Sequence, residues 1–257
     1  MSAQVLSDIP KVIVLDLNDT IVDTRRAFSE ARIRLLRNWG ALGETSYVEC
    51  DQAWRDAESQ ALDRVYGSSF EHYLISEVRG TPWHQLAQEF FQERMVGFAA
   101  EYGIALTAER AQDSDNLLEK FASEYALVFE DAILLATLLK SIGVKLAIVT
   151  DNLVGSAGSL VEKARRALNP DSVLISQASH FSKLNPAFPL VALTSLAVTP
   201  EDAWYVGDRL VEDGIWPSVY GVRTFVLCRN CQHIDPESNH LTSLTALPLP
   251  ISVDRRR

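Results

Sequence analysis

A chain of 257 residues with 47% hydrophobic and 23% charged residues can bury a sizeable core and is too apolar to be disordered. Its formal net charge of -10 repels phosphate backbones and anionic headgroups, which makes nucleic acid and membrane surfaces poor partners. No basic, apolar leader opens the sequence, no stretch reaches the roughly 18 apolar residues of a membrane span, and Cys50, Cys228 and Cys231 are too few for a disulfide framework, so a cytoplasmic protein with reduced thiols is expected.

The first element is the run KVIVLD, 11–16, uniformly apolar up to Asp16. Its like recurs in KLAIVTD (145–151), SVLIS (172–176), AWYVGD (203–208) and RTFVL (223–227). Strands without polar alternation are buried on both faces, which predicts a parallel sheet with helices on either side. AILLATLLKSIG and SLVEKARRALN have the spacing of crossover helices. Between the first strand and the second lie about a hundred residues holding four helical patterns and no strand: RRAFSEARIRLLRNWG, CDQAWRDAESQALDRVYG, WHQLAQEFFQERMVGFAAEYG and DSDNLLEKFASEYA. The expected organisation is an α/β core built from 1–24 and 126–257, with a helical domain, 25–125, inserted after the first strand.

Ligands of open parallel sheets bind beyond the carboxyl ends of the strands. Three strands end there in polar residues: Asp16, Thr150 and Asp208. In order along the chain stand DLNDT with Asp16, Asn18 and Thr20; Thr150; Lys183 in SKLNP; and VGDRLVEDG with Asp208 and Asp213. This series resembles the four motifs of the haloacid dehalogenase (HAD) superfamily of aspartate-nucleophile hydrolases: DxDxT, a closing Thr or Ser, a lysine, and GDxxxxD. The resemblance spans about 9–250, and it implies a Rossmann-like parallel sheet with an all-helical cap.

The resemblance further implies a magnesium-dependent phosphatase acting on a small phosphorylated metabolite through an aspartyl-phosphate. Asp16 would be the nucleophile, and Asp16, Asn18 (through its backbone carbonyl), Asp208 and Asp213 would hold Mg2+, which prefers hard oxygens. Thr20, Thr150, Asp151, Asn152, Lys183 and Arg25 would meet the substrate, with Lys183 also offsetting the carboxylates. Arg25 and Arg26 follow the first motif; with Arg32 and Arg37 they otherwise read as solvated charges on the first cap helix.

Asn18 departs from the pattern. Family phosphatases carry there the carboxylate that protonates the leaving oxygen and then activates water, and an amide does neither. Asp19 is no substitute, because adjacent residues leaving a strand point to opposite sides. DLNDT differs from the common DLDDT by one carboxyl-to-amide change: an engineered stall, a natural variant with residual activity, and a silent phosphate-binding relative all fit it. Dehalogenase members usually place an aromatic residue at this position and need no metal-binding acid pair. Phosphonate-cleaving members need a cap lysine, and 25–119 contains none. CRNCQH, with Cys228, Cys231 and His233, lacks the second half of a four-ligand zinc spacing and is expected to be a loop after the last strand. Oligomeric state stays open between monomer and homodimer.

Overall fold

The computed structural model describes residues 9–41, 43–66, 83–151, 154–176, 183, 185–231 and 239–249. A six-stranded parallel sheet runs in the order β3-β2-β1-β4-β5-β6, with β1 Val12–Asp16, β2 Lys145–Thr150, β3 Ser172–Ile175, β4 Ala203–Gly207, β5 Arg223–Leu227 and β6 His240–Leu241. Every residue of β1 and β4 is buried, which accounts for the lack of alternation in their sequences. Ile13 and Leu15 face one hydrophobic cluster, whereas Val12 and Val14 face a second, formed with Phe188, Ala192 and Leu193. Burying each such aliphatic side chain contributes roughly 1.5–3 kcal/mol, so the central strands anchor the fold.

Among the described residues, four helices lie between β1 and the helix that leads into β2: α1 Thr24–Asn38, α2 Tyr47–Tyr66, α3 Trp83–Glu101 and α4 Ala108–Tyr125. Asp23 caps α1 by accepting from the Arg26 amide, and Thr107 caps α4 by accepting from the Arg110 amide. The helices close on an aromatic centre in which Phe98 packs against Trp54 at 5.1 Å and Tyr102 at 5.4 Å. Trp39, Trp54 and Phe90 are core or core-packed residues, as their helical spacing suggests. Arg32 corrects the expectation of a solvated charge. It is buried, donates to Asp51 at 2.7 Å and lies over the Trp54 ring at 5.2 Å, because its place on α1 turns it inward.

The core continues with α5 Glu130–Ile142, α6 Val154–Leu168, α7 Phe188–Leu196 and the single turn α8 Trp216–Val219. Gly143 ends α5 in the left-handed conformation, φ 73°, which lets the chain turn at once into β2. The sheet has one strand more than expected, since the two-residue β6 is too short to register as an apolar run. Cys228 and Cys231 therefore lie between β5 and β6, not after the last strand, and they are bonded to each other, which also replaces the expectation of reduced thiols at these two positions. Cys50 is a free, buried thiol. Among the described residues no helix is long and apolar enough to cross a membrane.

Candidate active site

Strand order reverses about β1, which pairs with β2 on one side and β4 on the other, and helix connections diverge at such a point to leave a crevice at the carboxyl edge. Asp16 ends β1 there. Beyond it the chain turns sharply: the amides of Ile21 and Val22 both donate to the Leu17 carbonyl. Asp19 adopts the left-handed conformation, φ 54°, and its carboxylate accepts from the Thr24 hydroxyl at 3.0 Å and the Arg25 amide at 2.8 Å. Asp19 thus ties the turn to the start of α1, consistent with the expectation that it does not replace Asn18.

Four sequence-distant residues meet at this edge. Lys183 is buried, donates to Asp16 Oδ1, and stands 2.7 Å from Asp213 Oδ1 as an ion pair whose angle falls outside hydrogen-bond geometry. Oxygens of Asp16, Asp208 and Asp213 all lie within 4.8 Å of one another. Asp213 is positioned by a π-helical turn, Leu210–Ile215, and accepts from the Arg209 amide at 3.2 Å. Gly207 makes this possible in a way the sequence reading did not assign: a Cβ there would fall 2.2 Å from the Asp213 carboxyl carbon. The carboxylate occupies the space a side chain would take, and the signal for it was the glycine of VGD itself.

Electrostatics follow from three carboxylates sharing one ammonium. Burial, reinforced by Asp213 and Asp208 and opposed by Lys183, raises the Asp16 pKa to about 7. Burial, then Asp213 and Asp19, raise that of Asp208 to about 6. Burial alone would lower the Lys183 pKa, but Asp16 and Asp213 outweigh it and hold the ammonium well above its usual range. The pocket keeps an excess of negative charge on hard oxygen donors, which suits a small divalent cation. The donor set therefore fits the metal that the motifs imply.

The remaining expected residues take different places. Thr20 and Thr150 are fully buried, and among the described residues neither hydroxyl has a hydrogen-bond partner, so both are available to an oxyanion. Asp151 is a support: its Oδ1 accepts from the Ser176 hydroxyl at 2.6 Å and the Lys183 amide at 3.0 Å, which ties down the lysine's own backbone. Arg25 has a largely exposed side chain and stands 3.7 Å from Asp19, in the solvated setting that its alternative reading described. Asn18 lies in the turn and bridges to Val22, while Asn152 and His233 fall outside the described residues. Since Cys228 and Cys231 are bonded, they offer no thiolate pair to zinc.

A curated relative, the glyceraldehyde 3-phosphate phosphatase of Methanopyrus kandleri, is 26% identical over 203 residues, 79% of this chain and 77% of that protein. Among solved structures, the HAD-hydrolase YfnB from Bacillus subtilis, bound to magnesium, superposes with a TM-score of 0.70 at 15% identity, covering 92% of this chain and 96% of that one. The L-2-haloacid dehalogenase from Xanthobacter autotrophicus gives 0.60 at 18% identity, over 87% and 80% of the two chains. At these identities the structural matches speak for the fold alone. The family model for haloacid dehalogenase-like hydrolases matches residues 10–214, which contain Asp16, Thr150, Lys183, Asp208 and Asp213, and the chain belongs to that family.

Proposed function

We propose that the chain carries the site of a magnesium-dependent phosphatase for a small phosphorylated metabolite, with 25–125 as a cap that selects the leaving group. The observation that carries this reading is the gathering of Asp16, Lys183, Asp208 and Asp213 at the edge where β1 and β4 meet. A carboxylate beside a cation-holding cluster is what attack on an anionic phosphorus centre requires. The phosphatase named among the relatives supports the same reading.

Asp16, held in place by Lys183, directs a carboxylate oxygen at phosphorus; the new O–P bond forms as the ester O–P bond breaks, leaving an aspartyl-phosphate and an alkoxide that must take a proton. Water then attacks the phosphorus as the Asp16 O–P bond breaks, releasing phosphate and restoring the carboxylate, and the proton that water gives up to solvent balances the one the alkoxide takes from it. Thr20 and Thr150 hydroxyls donate to the phosphoryl oxygens. Asp16, Asp208 and Asp213 would hold magnesium, which would neutralise charge on those oxygens. Asn18 stands where a carboxyl would hand over and take back the proton, and its amide supplies neither service. Loss of general acid and base catalysis lowers the rate by about 10² to 10⁴.

The test is phosphate release from a panel of phosphate esters, glyceraldehyde 3-phosphate included, by this chain and by Asn18→Asp, with and without Mg2+. The expected result is a magnesium-dependent rate that Asn18→Asp raises by roughly 10² to 10⁴. Two folded proteins without turnover on any ester would refute the phosphatase reading. Asn18 also favours a second reading, a phosphate-binding protein without turnover, for which binding of inorganic phosphate in both forms without hydrolysis is the signature. Halide release without magnesium would favour a dehalogenase instead.

A further inference from the structure

Arg229 sits inside the CRNC ring, between the two bonded cysteines, and reaches back to the turn that follows Asp16. Its Nη2 donates to the Thr20 carbonyl at 2.6 Å and its Nε to the Asp19 carbonyl at 3.3 Å. The same guanidinium makes a bidentate pair with Asp131 at 2.8 and 3.1 Å, and it stacks over Phe129 at 3.7 Å. Asp131 is itself held by the Ser243 hydroxyl at 2.9 Å and the Leu244 amide at 2.8 Å, and the Phe129 amide donates to the Ile21 carbonyl at 2.9 Å. Arg229 is therefore a clamp on the backbone that carries Asn18 and Thr20.

The clamp is only as firm as its own backbone. On one side, the Cys228 amide donates to the Leu241 carbonyl at 2.7 Å, just past the end of β5. On the other side, Cys231 is exposed, and the disulfide to Cys228 ties that end down. We propose that Cys228 and Cys231 form a reversible dithiol–disulfide site that sets how firmly Arg229 holds the 18–20 turn. The regulatory meaning rests on the phosphatase reading of that turn; the mechanical link does not.

Closure requires a low-molecular-weight disulfide such as oxidised glutathione. The exposed Cys231 thiolate attacks one of its sulfurs, a mixed disulfide forms and one glutathione thiolate leaves. The half-buried Cys228 thiolate then attacks the Cys231 sulfur, expelling the second glutathione. Two cysteine thiols lose two protons and two electrons, and one glutathione disulfide becomes two glutathione thiols. A small dithiol reverses both steps.

The experiment uses the full chain equilibrated with oxidised glutathione or with dithiothreitol, thiols counted by alkylation and mass, and hydrogen exchange read on peptides covering 17–22. The Asp19, Ile21 and Val22 amides are hydrogen-bonded within the turn and report its closure. Reduction is expected to raise their exchange roughly tenfold, the lower end of what losing one charge-assisted hydrogen bond produces. Cys231→Ser should show the fast rate in both conditions, Arg229→Ala should be fast and insensitive to redox state, and Arg229→Lys should recover part of the protection. Unchanged thiol counts under the oxidant, or exchange at 19–22 that is the same in both states once reduction is verified, overturns the proposal. Redox-dependent exchange without any phosphate release by Asn18→Asp supports the switch while counting against the phosphatase reading.

Discussion

Replacing Lys183 by methionine removes the ammonium while keeping an unbranched chain of similar reach. In the parent that ammonium pairs with Asp16 and lies 2.7 Å from Asp213, both deeply buried. Removing one partner of a buried pair leaves uncompensated charge and costs about 3–5 kcal/mol. The pH dependence follows from the shifts. Lys183 has a raised pKa, so its contribution is complete below the unfolded value of 10.5 and is constant between pH 5 and 8. Asp16 and Asp208, with pKa values of about 7 and about 6, are charged at pH 8 and take up protons toward pH 5, where the missing cation matters less. The defect in Lys183→Met should therefore grow from pH 5 to pH 8 and reach a fall in melting temperature of roughly 10 °C for a chain of this size. Differential scanning calorimetry in a chelator measures it, and millimolar Mg2+ should narrow the gap. Equal melting temperatures at pH 8, or a larger defect at pH 5, would refute the reasoning.

Gly207→Ala forces a Cβ to within 2.2 Å of the Asp213 carboxyl carbon, so the variant should lose about 1–3 kcal/mol and the thermal shift that Mg2+ gives the parent. Asp208→Asn keeps the shape of the side chain but removes one of three clustered charges; calorimetric titration with Mg2+ should show affinity reduced by roughly tenfold or more. In the helical insertion, burial followed by the Asp115 charge raises the Glu119 pKa to about 8 against an opposing Arg94. Its charged form is penalised in the folded state, so stability is lost as pH rises from about 4.5 to about 8. Glu119→Gln should be more stable than the parent at pH 8, by up to roughly 2 kcal/mol after solvent screening, and no more stable at pH 4 by chemical denaturation.

Five strands and the helical nature of the insertion were legible because burial on both faces leaves apolar runs, and one-sided burial leaves a helical period. The positions of Asp16, Thr150 and Asp208 were legible for a related reason: each is the first polar residue at the end of such a run. Lys183 had no local pattern and was found through the resemblance. What stayed hidden depends on contacts that spacing does not encode. Arg32 looks like its charged neighbours Arg34 and Arg37 until α1 is docked on Asp51 and Trp54. Arg229 and Asp131 are 98 positions apart, and each is an ordinary charge until the turn after β1 is seen between them. The structural duty of Asp151 likewise emerges only once the Lys183 amide is seen donating to it across 32 positions.

The two ends of the insertion meet on a single residue. Val22 bridges to Asn18 in the departing chain and to Val128 in the returning one, and the Asp23 amide donates to the Leu127 carbonyl. Departure and return are thus stitched side by side, and the inserted helices also pack on the core, α4 against α6. The joint fixes where any helical module must leave and re-enter the sheet, a few residues after Asp16, whereas the shared apolar cluster fixes what its inner face must be.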